Sequence, residues 1–401
     1  MSRITFTQVN SLVQRQLNTN QSKLATLQEQ LSSGKAINRP SDNPIGSVNA
    51  MDLRSALAYR NQASRNTDNG STYLAVLDTT LMGYDDLFQS VRESALQGAS
   101  DTMLPEDRRY VNNEVNEILL QMVNMANTTY KGDFIFSGTD TNLPPYSVES
   151  GSISINDIGN EIPVGGALPD PTDTAWVAGA PIQLYDRNRT DSTSTPSPYG
   201  NPQVKRIIPG SLEITGFVEE TDYEVDYVNG TITFLNPALD PAITGNPVDI
   251  QFDWVRRNEL PNANGSISRE VEPGVTMQIN VTSDKAFGSE IEMDAFSSII
   301  SLMQGLWTSE QAEIEASMTN LDSSFQRVLS QQATVGAWTN RMESTADRND
   351  ENIIVATDLQ SQIEDLDFAK AISDFTLADA IYQASLQSAA SVLNKSLMDF
   401  M

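Results

Sequence analysis

The sequence predicts an α+β fold in which long helices from both chain ends form a coiled-coil rod around an inserted, antiparallel, β-rich domain. Three observations predict it. Apolar residues at alternating steps of 4 and 3 dominate the first 125 and the last 90 residues or so, the signature of a narrow helical seam. Period-2 alternation replaces that pattern in the middle. At 401 residues and 39% hydrophobic content, the chain is long enough for two or three domains with their own cores.

Taken in order, Val13, Leu17, Asn20, Leu24, Leu27 and Leu31 line one stripe of a helix expected over residues 6–33. Gly34 suits the left-handed position that ends it. Asn43 is placed to cap the orphan amides of a second helix, and Pro44 supplies the preset φ of its first turn. That helix is expected to reach about Ala99, with Asn69-Gly70 as a weak point ahead of the stripe Tyr73, Leu77, Thr80, Tyr84, Leu87 and Val91. A third follows Pro105, carrying Val111, Val115, Ile118, Met122 and Met125 on one side. Near the other end, Thr308-Ser309-Glu310-Gln311 has the T-x-x-Q form of a capping box. Beyond it a heptad runs from Ile314 through Leu321, Val328, Val335, Met342, Asn349 and Ala356 to Ile363. Roughly fifty residues of helix are about 75 Å long, so this element must pack lengthwise on other long helices. A last amphipathic stretch places Leu386, Ala390, Leu393, Leu397 and Phe400 on one stripe.

In the middle, Tyr223, Val225 and Tyr227 alternate with polar residues up to Asn229-Gly230, and Ile232 and Phe234 resume the alternation, a hairpin signal. Val248, Ile250, Phe252 and Trp254 form another such run, and Val275, Met277, Ile279 and Val281 a third. The expected division is 1–44 as an N-terminal assembly helix, 45–143 and 285–363 as the two parts of the rod, 144–284 as the β-rich insert and 364–401 as a C-terminal assembly helix. The Ser/Thr/Pro-rich stretch from Arg189 to Pro202 is expected to be a flexible loop.

Composition narrows the chemistry. The chain has no His and no Cys, so imidazole-based catalysis, His- or Cys-ligated metals, thiol nucleophiles and disulfides are all excluded. No P-loop, dinucleotide-binding or EF-hand pattern occurs. No cofactor or metal is therefore expected. A net charge of −28, from 53 acidic and 25 basic residues, repels phosphate backbones and argues against nucleic-acid binding. The first residues lack the apolar core of a secretory signal, and no run of about 18 apolar residues is present, so neither a membrane span nor the general secretory route is expected. The carboxylates Glu219, Glu220, Asp222, Glu224 and Asp226 could be taken for an acid and base pair, yet all but the first alternate with Tyr223, Val225 and Tyr227 as a solvent face would. No enzymatic role is expected. Trp176, Tyr185, Tyr199 and Trp254 admit an alternative, a glycan-binding insert on a helical stalk, against the commoner use of aromatics as β core.

The seam at the chain start and the one at its end have little private core to fill. They are expected to meet each other and neighbouring subunits, which makes Leu17, Leu24, Leu27, Leu31, Leu386, Leu393, Leu397 and Phe400 candidate assembly residues.

Two extended motifs then carry a resemblance. Leu31-Ser32-Ser33-Gly34-Lys35-Ala36-Ile37-Asn38, followed by Ser41-Asp42-Asn43-Pro44, is similar to the N-terminal signature of the flagellin superfamily. It adds Asn38, Asp42, Asn43 and Pro44 to the candidate assembly residues. Asn66-Thr67-Asp68-Asn69-Gly70 resembles an Asn- and Gly-rich break in the second helix of that family. At the other end, Ile363-Glu364-Asp365-Leu366-Asp367-Phe368-Ala369-Lys370-Ala371-Ile372-Ser373 and Tyr382-Gln383-Ala384-Ser385-Leu386-Gln387 resemble the C-terminal signature of its hook-filament junction branch. Asp133-Phe134-Ile135-Phe136-Ser137-Gly138-Thr139-Asp140, leading into Pro144-Pro145-Tyr146, and the ending Ser396-Leu397-Met398-Asp399-Phe400-Met401 are closer to that branch than to filament flagellins. What the resemblance implies is a structural, extracellular flagellar subunit exported without a cleaved signal. It implies self-association in a ring, contact with the preceding hook-associated junction protein and with filament flagellin, and an export chaperone at the C-terminal helix. The alternative within the family is the filament flagellin itself.

Overall fold

The computed structural model describes residues 6–155, 181–184, 204–236, 248–258, 260–289 and 294–398. Trp176, Tyr185, Tyr199, the 189–202 stretch and Phe400 lie outside them. The chain folds as two units. A terminal unit comprises Met1–Thr67, Glu270–Val275 and Ser344–Met401, and a central unit comprises Asp68–Arg269 and Thr276–Glu343.

The fold class read from the sequence holds: long helices from both ends enclose, in chain order, a set of antiparallel strands. Helices α1 (Phe6–Ser33), α2 (Pro44–Gly98) and α3 (Pro105–Ala126) come first. Strands β1 (Thr129–Tyr130), β2 (Asp133–Phe134), β3 (Tyr146–Ile155), β4 (Ile182–Gln183), β5 (Glu213–Ile214), β6 (Tyr223–Asp226), β7 (Thr231–Phe234), β8 (Val248–Arg257), β9 (Ser268–Glu272) and β10 (Val275–Gln278) follow. Helices α4 (Ser283–Phe287), α5 (Ala295–Thr308), α6 (Gln311–Glu364) and α7 (Phe368–Met398) complete the chain.

The heptad explains α6. Ile314, Leu321, Val328, Val335, Met342, Asn349 and Ala356 are all buried, and the intervening seam positions from Met318 to Gln360 are half-buried. Continuous a/d burial over so many turns is what keeps a helix of this length from unwinding alone. Two expectations need correction. The Asn69-Gly70 stretch does not break α2, because Gly70 is the point of closest packing there: a Cβ at this position would stand 2.7 Å from Met342 Cε. The Thr308 capping box does not form either. Thr308 lies inside α5, donating its hydroxyl to the Gln304 carbonyl at 3.0 Å, and Ser309 takes the left-handed conformation that ends that helix.

In the central unit β3, β8 and β5 form one sheet and β4, β7 and β6 another. The β6–β7 hairpin has the expected register, with Tyr223 opposite Phe234 and Val225 opposite Ile232 across a turn closed by Gly230 at φ +71°. Aromatic rings fill the core beside these sheets. Tyr84, Phe136 and Tyr146 surround Phe287 at centroid distances of 4.6, 5.0 and 6.1 Å, and Phe296 lies 4.4 Å from Tyr146. The Tyr84 hydroxyl donates to the Met122 carbonyl, which fixes α2 against α3. Trp254 is buried in β8 against Phe252, so it serves the core and offers no ring to a glycan.

The segment before β5 is tied to α5 by a buried ion pair. Arg206, at φ +62°, donates through Nε to the Val255 carbonyl and through Nη1 to Asp294 Oδ2 at 2.5 Å. Asp294 Oδ1 accepts the Ser297 amide at 2.6 Å and so caps α5. Of the carboxylates weighed above as an acid and base pair, Glu219 faces inward, accepting from the Tyr227 hydroxyl at 2.6 Å and Trp307 Nε1 at 2.8 Å. Desolvation raises its pKa against those two hydrogen bonds. Both of its oxygens are occupied by structural donors.

Candidate functional site

The candidate site is the terminal unit, where the two sequence signatures meet. On α1 the half-buried side chains are Val13, Leu17, Asn20, Leu24, Leu27 and Leu31, the stripe expected from their spacing, joined by Gln30 at its edge. Its partner is α7, running antiparallel. Val13 and Leu17 line a groove of about 320 Å³ with Ile381, Ala384, Ser385 and Ala389, while the far end of α1 reaches the start of α7.

The face that α7 turns to α1 was not legible as a seam. Its buried and half-buried positions are Ala371, Phe375, Ala378, Tyr382, Ser385 and Ala389, again stepping 4, 3, 4, 3, 4, but mostly small, with Asp379 half-buried beside them. Small residues let the Leu-rich stripe of α1 approach closely. The larger side chains Phe368, Ile372, Leu377, Ile381 and Leu386 remain exposed, Leu386 at 44%. The side chains of Leu393 and Leu397 lie outside the described residues.

One polar layer interrupts the pair: Asn20 Nδ2 donates to Ser385 Oγ at 2.9 Å. A single polar layer in an apolar seam fixes register at a cost in stability. Replacing Asn20 with Leu is expected to stabilise the α1–α7 pair by about 1 kcal/mol while permitting shifted registers. Slower hydrogen exchange across α1, together with new cross-links between cysteines introduced one heptad out of register, would show both effects.

The loop after α1 and the turn after α6 are fastened together. Gly34, at φ +72°, accepts the Leu366 amide at 3.0 Å, and the Ala36 amide donates to the Glu364 carbonyl at 2.7 Å. The Glu364 side chain is 3% exposed and takes Lys35 Nζ at 3.1 Å on one oxygen and Arg54 Nε at 2.7 Å on the other. A carboxylate at a helix C-terminus opposes the macrodipole, and here burial pushes its pKa up as well. Hydrogen bonds from Arg54, Gln360 and Lys35, with the charge of Lys35, outweigh burial and hold it down at about 2. Glu364 thereby joins three segments: the loop after α1, the first half of α2 and the end of α6.

The remaining signature residues have local tasks. Asp42 Oδ2 accepts the amides of Asn38 and Arg39, at 3.2 and 2.8 Å. Asn43 Oδ1 accepts the Gly46 amide at 3.0 Å, and Pro44 opens α2 as expected. Asp42, Asn43 and Pro44 are exposed and Asn38 is half-buried. Residues 270–275 fasten α2 to α6 within the same unit: Asn66 Nδ2 donates to the Glu270 carbonyl at 2.9 Å and Asn349 Nδ2 to the Val271 carbonyl at 2.7 Å. Arg348 pairs with Glu272 at 2.9 Å, and the Tyr59 hydroxyl donates to the Glu270 carboxylate.

What the unit leaves uncovered is informative. Of the 21 large hydrophobic side chains that stay exposed among the described residues, 13 belong to the terminal unit, about a third of the chain. Ile45, Val48 and Met51 on α2, and Ile354, Val355 and Leu359 on α6, are among them. Large exposed apolar patches are characteristic of surfaces that meet other protein. Among the described residues no cluster of His, Cys, Asp and Glu could hold a metal ion, and no helix is long and apolar enough to cross a membrane.

Comparison with known proteins gives the family. The family model for the bacterial flagellin N-terminal helical region matches residues 4–141, and that for the bacterial flagellin C-terminal helical region matches residues 318–401. Together they cover more than half of the chain, which belongs to the flagellin family of flagellar structural proteins. Within it, the chain is 22% identical to a flagellin of Clostridium tyrobutyricum over 92% of its own length and 93% of the relative's. It is 25% identical to flagellar hook-associated protein 3 of Salmonella typhimurium, over 48% of this chain and 58% of that one, so it spans less than two thirds of that relative. The solved structure of flagellar hook associated protein-3 from Legionella pneumophila aligns over 78% of this chain and 98% of that chain, with 13% identity and a TM-score of 0.38.

Proposed function

We propose that this chain is a structural subunit of the junction between flagellar hook and filament, the surface on which flagellin polymerises. The observation that carries the reading is the phrase Asp133–Asp140 with Pro144-Pro145-Tyr146, whose wording is closer to junction proteins than to filament flagellins. Its centre is core: Ile135, Phe136 and Tyr146 are buried, the Ile135 carbonyl accepts from the Tyr73 hydroxyl at 3.1 Å, and the Phe136 carbonyl accepts the Ser283 amide at 2.8 Å. Partial relatives carrying the name hook-associated protein 3 support the same branch.

In this reading the subunits form a ring that sits on the preceding hook-associated protein and receives filament flagellin above. The chain is exported to the extracellular flagellum without a cleaved signal, and an export chaperone covers the C-terminal helix beforehand. Of the candidate assembly residues, Leu17, Leu24, Leu27 and Leu31 lie on the stripe by which α1 meets α7 of its own chain, and those toward the chain end, Leu386, Leu393, Leu397 and Phe400, then belong to the subunit contacts. The near full-length likeness to a Clostridium flagellin favours a second reading, the filament subunit.

Electron microscopy of flagella from cells lacking the gene separates the two. Hooks without filaments, with flagellin lost to the medium, are the expected result. Hooks with no flagellin in the medium would instead identify the filament subunit, and normal filaments would remove both.

A further inference from the structure

Charge is unevenly divided along this acidic chain. The first 67 residues hold eight basic and three acidic residues, whereas residues 344–401 hold three basic and ten acidic. The two segments belong to one unit, yet much of this opposite charge is not spent internally. Arg15, opposite the seam of α1, and Lys23, at its flank, are both exposed, and neither makes an ion pair among the described residues. On α6, Asp347, Glu351, Ile354 and Asp358 step 4, 3, 4 along one exposed stripe, with Val355 and Leu359 beside it. None of these three carboxylates is ion-paired among the described residues either.

The spacings match. Eight residues separate Arg15 from Lys23 and seven separate Glu351 from Asp358, which at 1.5 Å per residue is about 12 Å and about 10.5 Å. Ile354, 68% exposed, lies between the two anions, and Thr19, exposed and short, lies between the two cations. An apolar side chain flanked by two carboxylates thus meets a low point flanked by two cations. The anions and cations lie on different elements of the same chain, so a contact between copies uses two different patches and is heterologous, the kind that propagates into rings or helical arrays.

We propose that the outward stripe of α1 in one subunit docks on the Asp347–Asp358 stripe of α6 in the next. The inference rests on the self-assembly part of the proposed function and adds which faces meet. Opposite charges flanking an apolar centre set register and partner choice more than raw affinity.

The absence of cysteine makes the test direct. Full-length chains carrying Thr19→Cys alone or Ile354→Cys alone are produced singly and together in the same cells, and flagella are isolated and oxidised. A dimer-mass band that forms only when both variants are present is the expected result. Adding Arg15→Glu to the first variant should cut that band at least tenfold, and adding Glu351→Arg to the second should restore most of it. No band in the mixed sample, measured against monomer in the same flagellar fraction, overturns the contact, as does a band from Thr19→Cys alone. Failure here leaves the junction reading intact, because that reading stands or falls on the hook and filament phenotype.

Discussion

Replacing Asp294 with Asn should destabilise the central unit by about 3–5 kcal/mol, although the two side chains have nearly the same shape. The amide can still accept the Ser297 amide proton, so the cap on α5 survives. What is lost is the countercharge of Arg206, whose guanidinium is 6% exposed and held in place by the Val255 carbonyl. It cannot swing into water without releasing that bond, and its own backbone is in the left-handed region at φ +62°, already conformationally selected. An unpaired buried cation is the expensive half of a broken ion pair. Pairing Asp294→Asn with Arg206→Met should therefore recover at least about 2 kcal/mol of the loss, since no charge is then left behind. Urea unfolding of the full chain followed by tryptophan fluorescence reads the effect, because Trp254 and Trp307 both sit in this unit. Equal losses in the single and double variants would mean that the pair supplies only packing.

Neither residue of that pair announced itself in the sequence. Arg206 and Asp294 are 88 positions apart, and nothing in their local phrases sets them off from solvated charges. The legible parts of the fold were those governed by periodicity. The heptad of α6 is visible because the a positions from Ile314 to Ala356 are all buried and the pattern lasts for many turns. The β6–β7 hairpin is visible because alternation and Asn229-Gly230 coincide. By contrast α5 was missed because Phe296, Ile299, Ile300, Leu302, Met303 and Leu306 bury most of its circumference, which erases the contrast that a period needs. Strand β3 was missed for the opposite reason. Its Ser-Val-Glu-Ser-Gly-Ser run has little apolar content, and it is held by its full-length ladder with β8, with Gly151 leaving space for the Trp254 ring. Gly70 misled because glycine in a helix is ordinarily a cost, whereas here the missing Cβ is what Met342 packs into.

The candidate site shows the same division. The α1 stripe was legible as Leu at seam spacing, and its partner was not, because alanine and serine at the same spacing on α7 look like filler between larger residues. The stripe drawn instead through Leu386 follows the bigger side chains, and Leu386, like Ile372, Leu377 and Ile381 before it, is exposed. Glu364 was quoted only as one letter of a resemblance. Its importance comes from the meeting of two turns separated by more than three hundred residues, which no local pattern encodes.

That carboxylate carries the second large effect. Replacing Glu364 with Gln should weaken the clasp between the loop after α1 and the turn after α6 by about 2 kcal/mol at neutral pH. The figure is smaller than the full pKa displacement would give, because Lys35 and Arg54 are each about half exposed and solvent screens them. The sign of the pH dependence follows from a folded-state pKa of about 2, below the ordinary value of a glutamate. Its stabilisation is fully present above the unfolded value, near 4.3, and is lost as pH falls from there toward about 2. The gap between the native chain and the variant should therefore be constant from neutral pH down to about 5 and close over the next few units. Hydrogen exchange at the Ala36 and Leu366 amides reads the clasp directly, since these donate across it to the Glu364 and Gly34 carbonyls. About 2 kcal/mol corresponds to roughly thirtyfold faster exchange at those two amides, with little change in the aromatic core of the central unit. A gap that persists unchanged down to pH 2 would assign the effect of the substitution to packing alone. Closure of the gap would identify Glu364 as the charge that holds the bases of both terminal helices together, and hence the residue through which acid would first loosen their pairing.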